Sequence, residues 1–314
     1  MEKNKAFLKN LGAIEKHISI QTPKIIHRVD VVYHQEIQSG VQLKLDLLIP
    51  NTSDEKPAIL FLPGGGFTSA DYHKTLPLRL FLAQKGYVVA SAAYRPVPEQ
   101  FPTLVHDAKY ALHFLYEQAE ALQITREQIV VMGDSAGGYL TQLLMVTAGT
   151  SQLLPDDIPV DHTQVAACVS LYGFSNLLKM TNLTQFQPGT IFSNQDKLSP
   201  EKVLLKGASA DKATPYTAEE LYQLAKQASP LHYVHTKSTF APILLMHGDQ
   251  DHLVPMAQST EMYTALTKSS TKADYWMIAG ADHGSVEFSQ LELFEAIADW
   301  LSQQFTPKEE FDVN

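Results

Sequence analysis

Residues 129–138 read Ile129-Val130-Val131-Met132-Gly133-Asp134-Ser135-Ala136-Gly137-Gly138. Four apolar residues, 129–132, make a short buried strand. The mostly apolar stretch 135–148 has the length of a helix. Between them the chain must turn sharply around Ser135. Gly133 and Gly137 stand two positions before and two after it, where strand and helix approach too closely to leave room for a Cβ. The turn forces Ser135 into a strained backbone conformation and leaves its hydroxyl exposed. Such a strand–turn–helix fits a sheet of parallel strands with helices on its faces.

The pattern repeats outward from this point. Upstream, residues 58–62 form a strand ending at Pro63-Gly64-Gly65-Gly66-Phe67. Residues 76–85 then read as a helix closed by Gly86, 87–93 as a strand, and 103–122 as a helix. Downstream, residues 165–171, 243–246 and 273–278 read as strands, and 255–266 and 291–305 as helices. Near the N-terminus, residues 25–33 and 41–49 flank the turn 35–40 and predict an antiparallel pair. The expected fold is therefore α/β: a mostly parallel, doubly wound sheet with helices on both faces. Ligands of such sheets bind beyond the carboxyl ends of the strands. Residues 174–235 interrupt the rhythm with polar sequence and a helical piece at 218–228. They are expected to be a cap or lid-like insertion within a single domain, 1–314.

Composition removes several function classes. With 24 Lys and Arg against 34 Asp and Glu, the net charge is −10, which repels phosphate backbones, and no basic run offsets it. Nucleic-acid binding is not expected. No apolar stretch approaches the roughly 18 residues of a membrane span. Residues 1–16 lack the apolar core of a signal peptide, so a cytoplasmic location is expected. The glycosylation triplets at Asn51 and Asn182 then carry no meaning. Cys168, the single cysteine, lies in an apolar strand and reads as a small hydrophobe rather than a nucleophile.

A serine hydroxyl attacks only when a base takes its proton. Of 12 histidines, His283 in Gly280-Ala281-Asp282-His283-Gly284 follows the last strand and shares the sheet end of Ser135. His106 and His113 fall inside a helix and read as surface or packing residues. A carboxylate must fix the tautomer of the base. The loop His247-Gly248-Asp249-Gln250-Asp251-His252 offers Asp249 and Asp251, and spacing alone does not choose between them. Asp282 adjoins the base in sequence and is expected to point away. The same loop resembles a metal-ligand cluster, but alternate residues of a turn rarely converge on one ion, so no metal is expected. The Ala136 amide, at a helix N-terminus, faces a developing oxyanion. Gly65 and Gly66 are the candidates for further oxyanion donors. No Lys-Ser/Thr follows these glycines, which excludes a phosphate-cradling loop, and no cofactor is implied.

These residues resemble the α/β-hydrolase superfamily. Within it they are similar to carboxylesterases with a Gly-Asp-Ser-Ala-Gly-Gly elbow, related to hormone-sensitive lipases, and nearest to the group of acetyl-xylan and feruloyl esterases. The resemblance runs from about residue 41 to 300 and carries the chain order Ser, Asp, His. It implies a Ser135–His283–Asp251 triad, placing the carboxylate at Asp251 through the pattern His-Gly-x-x-Asp-x-x-Val-Pro. It also implies oxyanion donors at Gly65, Gly66 and Ala136, and structural roles for Tyr94, Arg95 and Asp107. One departure stands out: Pro63 occupies the place of a family histidine that orients the glycine loop. The implied activity is hydrolysis of short-chain, acetyl-like esters of small molecules, without a cofactor. Amide cleavage, as in an arylformamidase or peptidase, uses the same triad. A non-catalytic receptor on this scaffold is disfavoured by the presence of all three triad candidates. Oligomeric state is not written in the sequence; a homodimer is carried as the expectation.

Overall fold

A computed structural model describes residues 2–37, 39–180, 203–205 and 217–305. Its strands are β1 (Ile25–Gln35), β2 (Gln42–Pro50), β3 (Lys56–Leu62), β4 (Val88–Ala92), β5 (Ile124–Asp134), β6 (Ala167–Leu171), β7 (Ile243–Gly248) and β8 (Ala273–Ile278). They form one sheet in the order β1-β2-β4-β3-β5-β6-β7-β8. The pairs β1–β2 and β2–β4 are antiparallel, and the remaining five are parallel. The expected N-terminal antiparallel pair and the parallel remainder are both present.

Side chains along a strand alternate between faces, and β3 shows the consequence. Ala58, Leu60 and Leu62 enter one core cluster, with the helices Thr103–Glu117, Ala136–Thr147 and Ala257–Leu266. Ile59 and Phe61 enter the other, with the helices Leu76–Gln84 and Leu291–Phe305. A strand buried on both faces reads as a continuous apolar run, which is why residues 58–62 carry no alternation.

Two elements leading to the serine turn differ in extent from the sequence reading. The strand expected at 129–132 begins at Ile124, because Lys56 pairs with Ile124 across a register shift before Ala58 pairs with Ile129. Residues 126–127 within it are exposed, so hydropathy alone hides them. The helix expected over 103–122 ends at Glu117, and a second short helix, Ala119–Leu122, follows. Gln123 then takes a left-handed conformation (φ 55°), which stops the helix and starts β5.

Most of the expected insertion, residues 181–202 and 206–216, lies outside the described residues. Its described parts pack onto the core. Leu204 and Leu205 are buried, and the Phe101 amide donates to the Leu204 carbonyl at 2.9 Å. The helix Ala218–Gln227 opens with a reciprocal Thr217–Glu220 capping box. Just beyond it, the Tyr139 hydroxyl donates to the Ala228 carbonyl at 2.8 Å. Among the described residues no helix is long and apolar enough to cross a membrane.

Candidate active site

The turn after β5 is as tight as its sequence demands. A Cβ on Gly137 would sit 1.8 Å from the Leu62 carbonyl oxygen, and one on Gly133 would sit 2.6 Å from the same atom. Ser135 takes φ 51° and ψ −117°, a conformation L-residues rarely adopt. It occupies the N-cap position of the helix Ala136–Thr147, yet its side chain does not cap that helix. The Ser135 Oγ instead lies 2.8 Å from His283 Nε2.

His283 Nδ1 lies 2.8 Å from Asp251 Oδ2. The structure thus brings Ser135, His283 and Asp251 into one chain of hydrogen bonds across 148 and 32 residues of sequence. With Asp251 accepting the Nδ1 proton, Nε2 is left as the acceptor for the serine hydroxyl. The Asp251 side chain is fully out of solvent, and that of His283 is 13% exposed. Two backbone amides, Leu253 at 2.9 Å and Val254 at 2.7 Å, hold Asp251 Oδ1.

The neighbouring acids do other things. Asp249 accepts the Gly280 amide at 2.7 Å and so links the loops after β7 and β8. Asp282 accepts the His252 and His283 amides at 2.9 and 2.7 Å, and these bonds pull its carboxyl down to about 2. Its side chain faces His252 rather than the His283 ring. His106 and His113 sit on the helix Thr103–Glu117, away from this relay. Cys168 is buried, and burial pushes its thiol up to about 12, in keeping with a packing residue.

Three positions have roles that the sequence reading did not assign. His247 is fully buried, with Nε2 3.1 Å from Asp251 Oδ2 and 2.9 Å from the Val254 carbonyl. Both neighbours are acceptors, so the proton sits on Nε2, and Nδ1 accepts from Ser259 Oγ at 2.8 Å. Burial lowers the pKa of this imidazole. His247 therefore braces the carboxylate. Tyr172 packs edge-on against the His283 ring, 4.8 Å between centroids. Asp134 accepts the Gly64 amide at 2.8 Å and is held above the usual carboxylate range by burial. Only the immediate sequence neighbourhood of His247 and Asp134 to the predicted residues pointed to them.

The glycine loop is held without the family histidine. The Tyr94 hydroxyl donates to the Pro63 carbonyl at 2.7 Å, and Lys74 Nζ donates to the Gly64 carbonyl at 3.2 Å. Arg95 and Asp107 form a two-pronged ion pair at the same sheet end, with contacts of 2.6 to 3.1 Å. Gly66 has φ 58°, a left-handed conformation that suits glycine. Among the described residues, the Gly65 and Gly66 amides donate to no carbonyl or side chain. As the first helical residue, Ala136 has no intrahelical acceptor for its amide. Gly65, Gly66, Ser135 and His283 line one cavity of about 560 Å³, whose remaining wall includes Phe61, Leu78, Tyr172, Leu253 and Phe288.

A mostly parallel, doubly wound sheet with a serine on a strained strand-to-helix turn defines the α/β-hydrolase fold. Solved structures share it. The truncated form of a carbohydrate esterase from gut microbiota superposes with a TM-score of 0.71 at 22% identity, covering 92% of this chain and 99% of that one. Thermogutta terrifontis esterase 2 gives 0.68 at 22% identity, covering 91% and 98%. The BD-FAE family model matches residues 45–266, and the chain belongs to that family. Ethyl acetate hydrolase of Pseudomonas putida is 34% identical over 185 residues, 56% of either chain. The isoprenylcysteine alpha-carbonyl methylesterase ICME of Arabidopsis thaliana is 25% identical over 253 residues, 76% of this chain and 53% of that protein. Esterase LipC of Mycobacterium tuberculosis is 26% identical over 270 residues, 83% of this chain and 60% of its own. The chain thus spans little more than half the length of these relatives.

Proposed function

We propose that the chain is a serine carboxylesterase acting on small-molecule esters with short, acetyl-like acyl groups. The observation that carries this is the pair of 2.8 Å contacts joining Ser135, His283 and Asp251 at the wall of an open cavity. Ser135 Oγ attacks the ester carbonyl carbon while His283 Nε2 takes its proton. Asp251 fixes the imidazole and stabilises the imidazolium. The amides of Gly65, Gly66 and Ala136 receive the oxyanion, each such donor typically worth about 3 kcal/mol of barrier. His283 returns the proton to the alkoxide, the alcohol leaves, and an acyl-enzyme remains. Water, deprotonated by the same imidazole, attacks it; the acid departs and Ser135 regains its proton.

The tight serine turn, the two unengaged glycine amides and family membership support this reading. The relative named for ethyl acetate, at 34% identity, supports the small acyl group. The test is turnover of p-nitrophenyl esters of graded acyl length, with labelling by a fluorophosphonate. Hydrolysis is expected to be fastest at two to four acyl carbons, and Ser135→Ala to lose both label and at least about 10⁴-fold in kcat. Equal release of p-nitrophenol by protein and variant would overturn the assignment. A maximum at long acyl chains would overturn only the acyl preference.

A further inference from the structure

The helix Thr103–Glu117 carries His113 and Glu117 one turn apart, on the same face. The short 3-10 helix Val160–Thr163 brings His162 against them. The two Nδ1 atoms are 2.8 Å apart, and Glu117 Oε1 is 3.5 Å from His162 Nδ1. All three ligand atoms lie within 4.8 Å of one another. We infer that His113, Glu117 and His162 form a binding site for a divalent transition-metal ion, with Zn²⁺ as the best-matched probe.

The donor set decides the class of ion. Two imidazoles and one carboxylate suit Zn²⁺ and its first-row neighbours, whereas Ca²⁺ and Mg²⁺ require oxygen donors. Two nitrogens bound tetrahedrally at about 2.05 Å stand about 3.3 Å apart. The imidazole pair therefore needs to open by only about half an ångström to admit an ion in place of the shared proton. Glu117 is 56% exposed along its side chain and His162 16%, so the site opens to solvent and water can complete the coordination. His113 and Glu117 sit at the C-terminal end of a 15-residue helix, whose carbonyl end favours a cation. Their support is already rigid. Tyr116 stacks on the His162 ring at 5.0 Å, and its hydroxyl donates to the Gln164 carbonyl at 2.9 Å.

The ion would not take part in ester chemistry. Gly149, just past the helix that Ser135 opens, donates to Thr163 Oγ1 at 2.9 Å. The cluster is therefore a helix length, roughly 18 Å, from the serine. Its effect is to clamp the end of one core helix to the segment that leads into β6.

The test is isothermal titration of the EDTA-stripped full chain with Zn²⁺. Expected are one ion per chain and, at a hundredfold excess over Kd, a rise in melting temperature of about 4 °C. His113→Gln, His162→Gln and Glu117→Gln should each weaken binding at least about tenfold, while His283→Gln leaves it unchanged. Glu117 is exposed, so its variant keeps the test valid if either histidine change harms the fold. Co²⁺ should give the visible absorption of tetrahedral coordination, lost in His162→Gln. No saturable binding below about 100 μM Zn²⁺, or binding that survives both histidine changes, would overturn the site. None of these readouts uses ester turnover, so they stand or fall apart from the proposed activity.

Discussion

Asp251→Asn probes the proposed relay where it is most constrained. Four donors surround this carboxylate: the Leu253 and Val254 amides on Oδ1, and the His283 and His247 imidazoles on Oδ2, at 2.8 and 3.1 Å. Asparagine has the same shape but only one acceptor oxygen. The two backbone amides hold that oxygen at the Oδ1 position, so the NH₂ faces His283 Nδ1. Nδ1 must then accept, the imidazole proton moves to Nε2, and Nε2 can no longer take the serine proton. The expected loss is about 10⁴ in kcat, equivalent to about 5.5 kcal/mol of barrier, with KM changed less than about threefold. The same NH₂ also confronts the Nε2–H of His247, donor against donor in a buried site. That adds a stability loss of about 1–3 kcal/mol. Steady-state hydrolysis of p-nitrophenyl acetate and a thermal melt read the two effects separately. Asp249→Asn is the control, because Asp249 holds the Gly280 amide and does not touch His283; its kcat should stay within about fivefold. If Asp251→Asn keeps more than about a tenth of kcat, or Asp249→Asn is the more damaging change, the carboxylate has been assigned to the wrong residue.

Two further outcomes follow from the packing. Gly137→Ala drives a methyl to 1.8 Å from the Leu62 backbone carbonyl oxygen, which cannot swing aside as a side chain would. It should cost about 3 kcal/mol or more and lower the melting temperature by about 5 °C, measured by calorimetry; an unchanged melt would mean the turn is looser than described. Lys109 is fully buried, donates to the Gln152 carbonyl at 2.7 Å, and has its pKa pushed down by burial to about 7. Below pH 7 it is charged in folded and unfolded chains alike and its burial penalty is fully present. Between about 7 and its ordinary 10.4 only the unfolded chain holds the proton, so stability rises with pH. Relative to Lys109→Met, the parent chain should gain on the order of 3 kcal/mol between pH 7 and about pH 9.5 in urea denaturation. Parallel pH profiles would refute it.

Much of the site is written locally. Gly133-Asp134-Ser135-Ala136-Gly137 names the turn because the steric conflict that requires it spans only five residues and one neighbouring strand. The buried strands declare themselves because apolar runs of that length bury on both faces. Asp249 and Asp251, two residues apart on one loop, are equivalent in composition. Their separation depends on how the loop after β7 curls beneath β8, and the resemblance rather than the spacing pointed to Asp251. His247 reads as one more histidine until burial places it against that carboxylate. His113 looks like a packing residue until His162, 49 positions away, is folded against it.

The sequence by itself determined the alternation of strands and helices, the serine turn and the types of chemistry available, because these follow from interactions among residues a few positions apart. Only the tertiary structure decided which acid meets which imidazole, what holds the glycine loop without a histidine, and where two distant histidines converge. Those outcomes depend on distances of a few tenths of an ångström between segments whose separation along the chain carries no information about their separation in space.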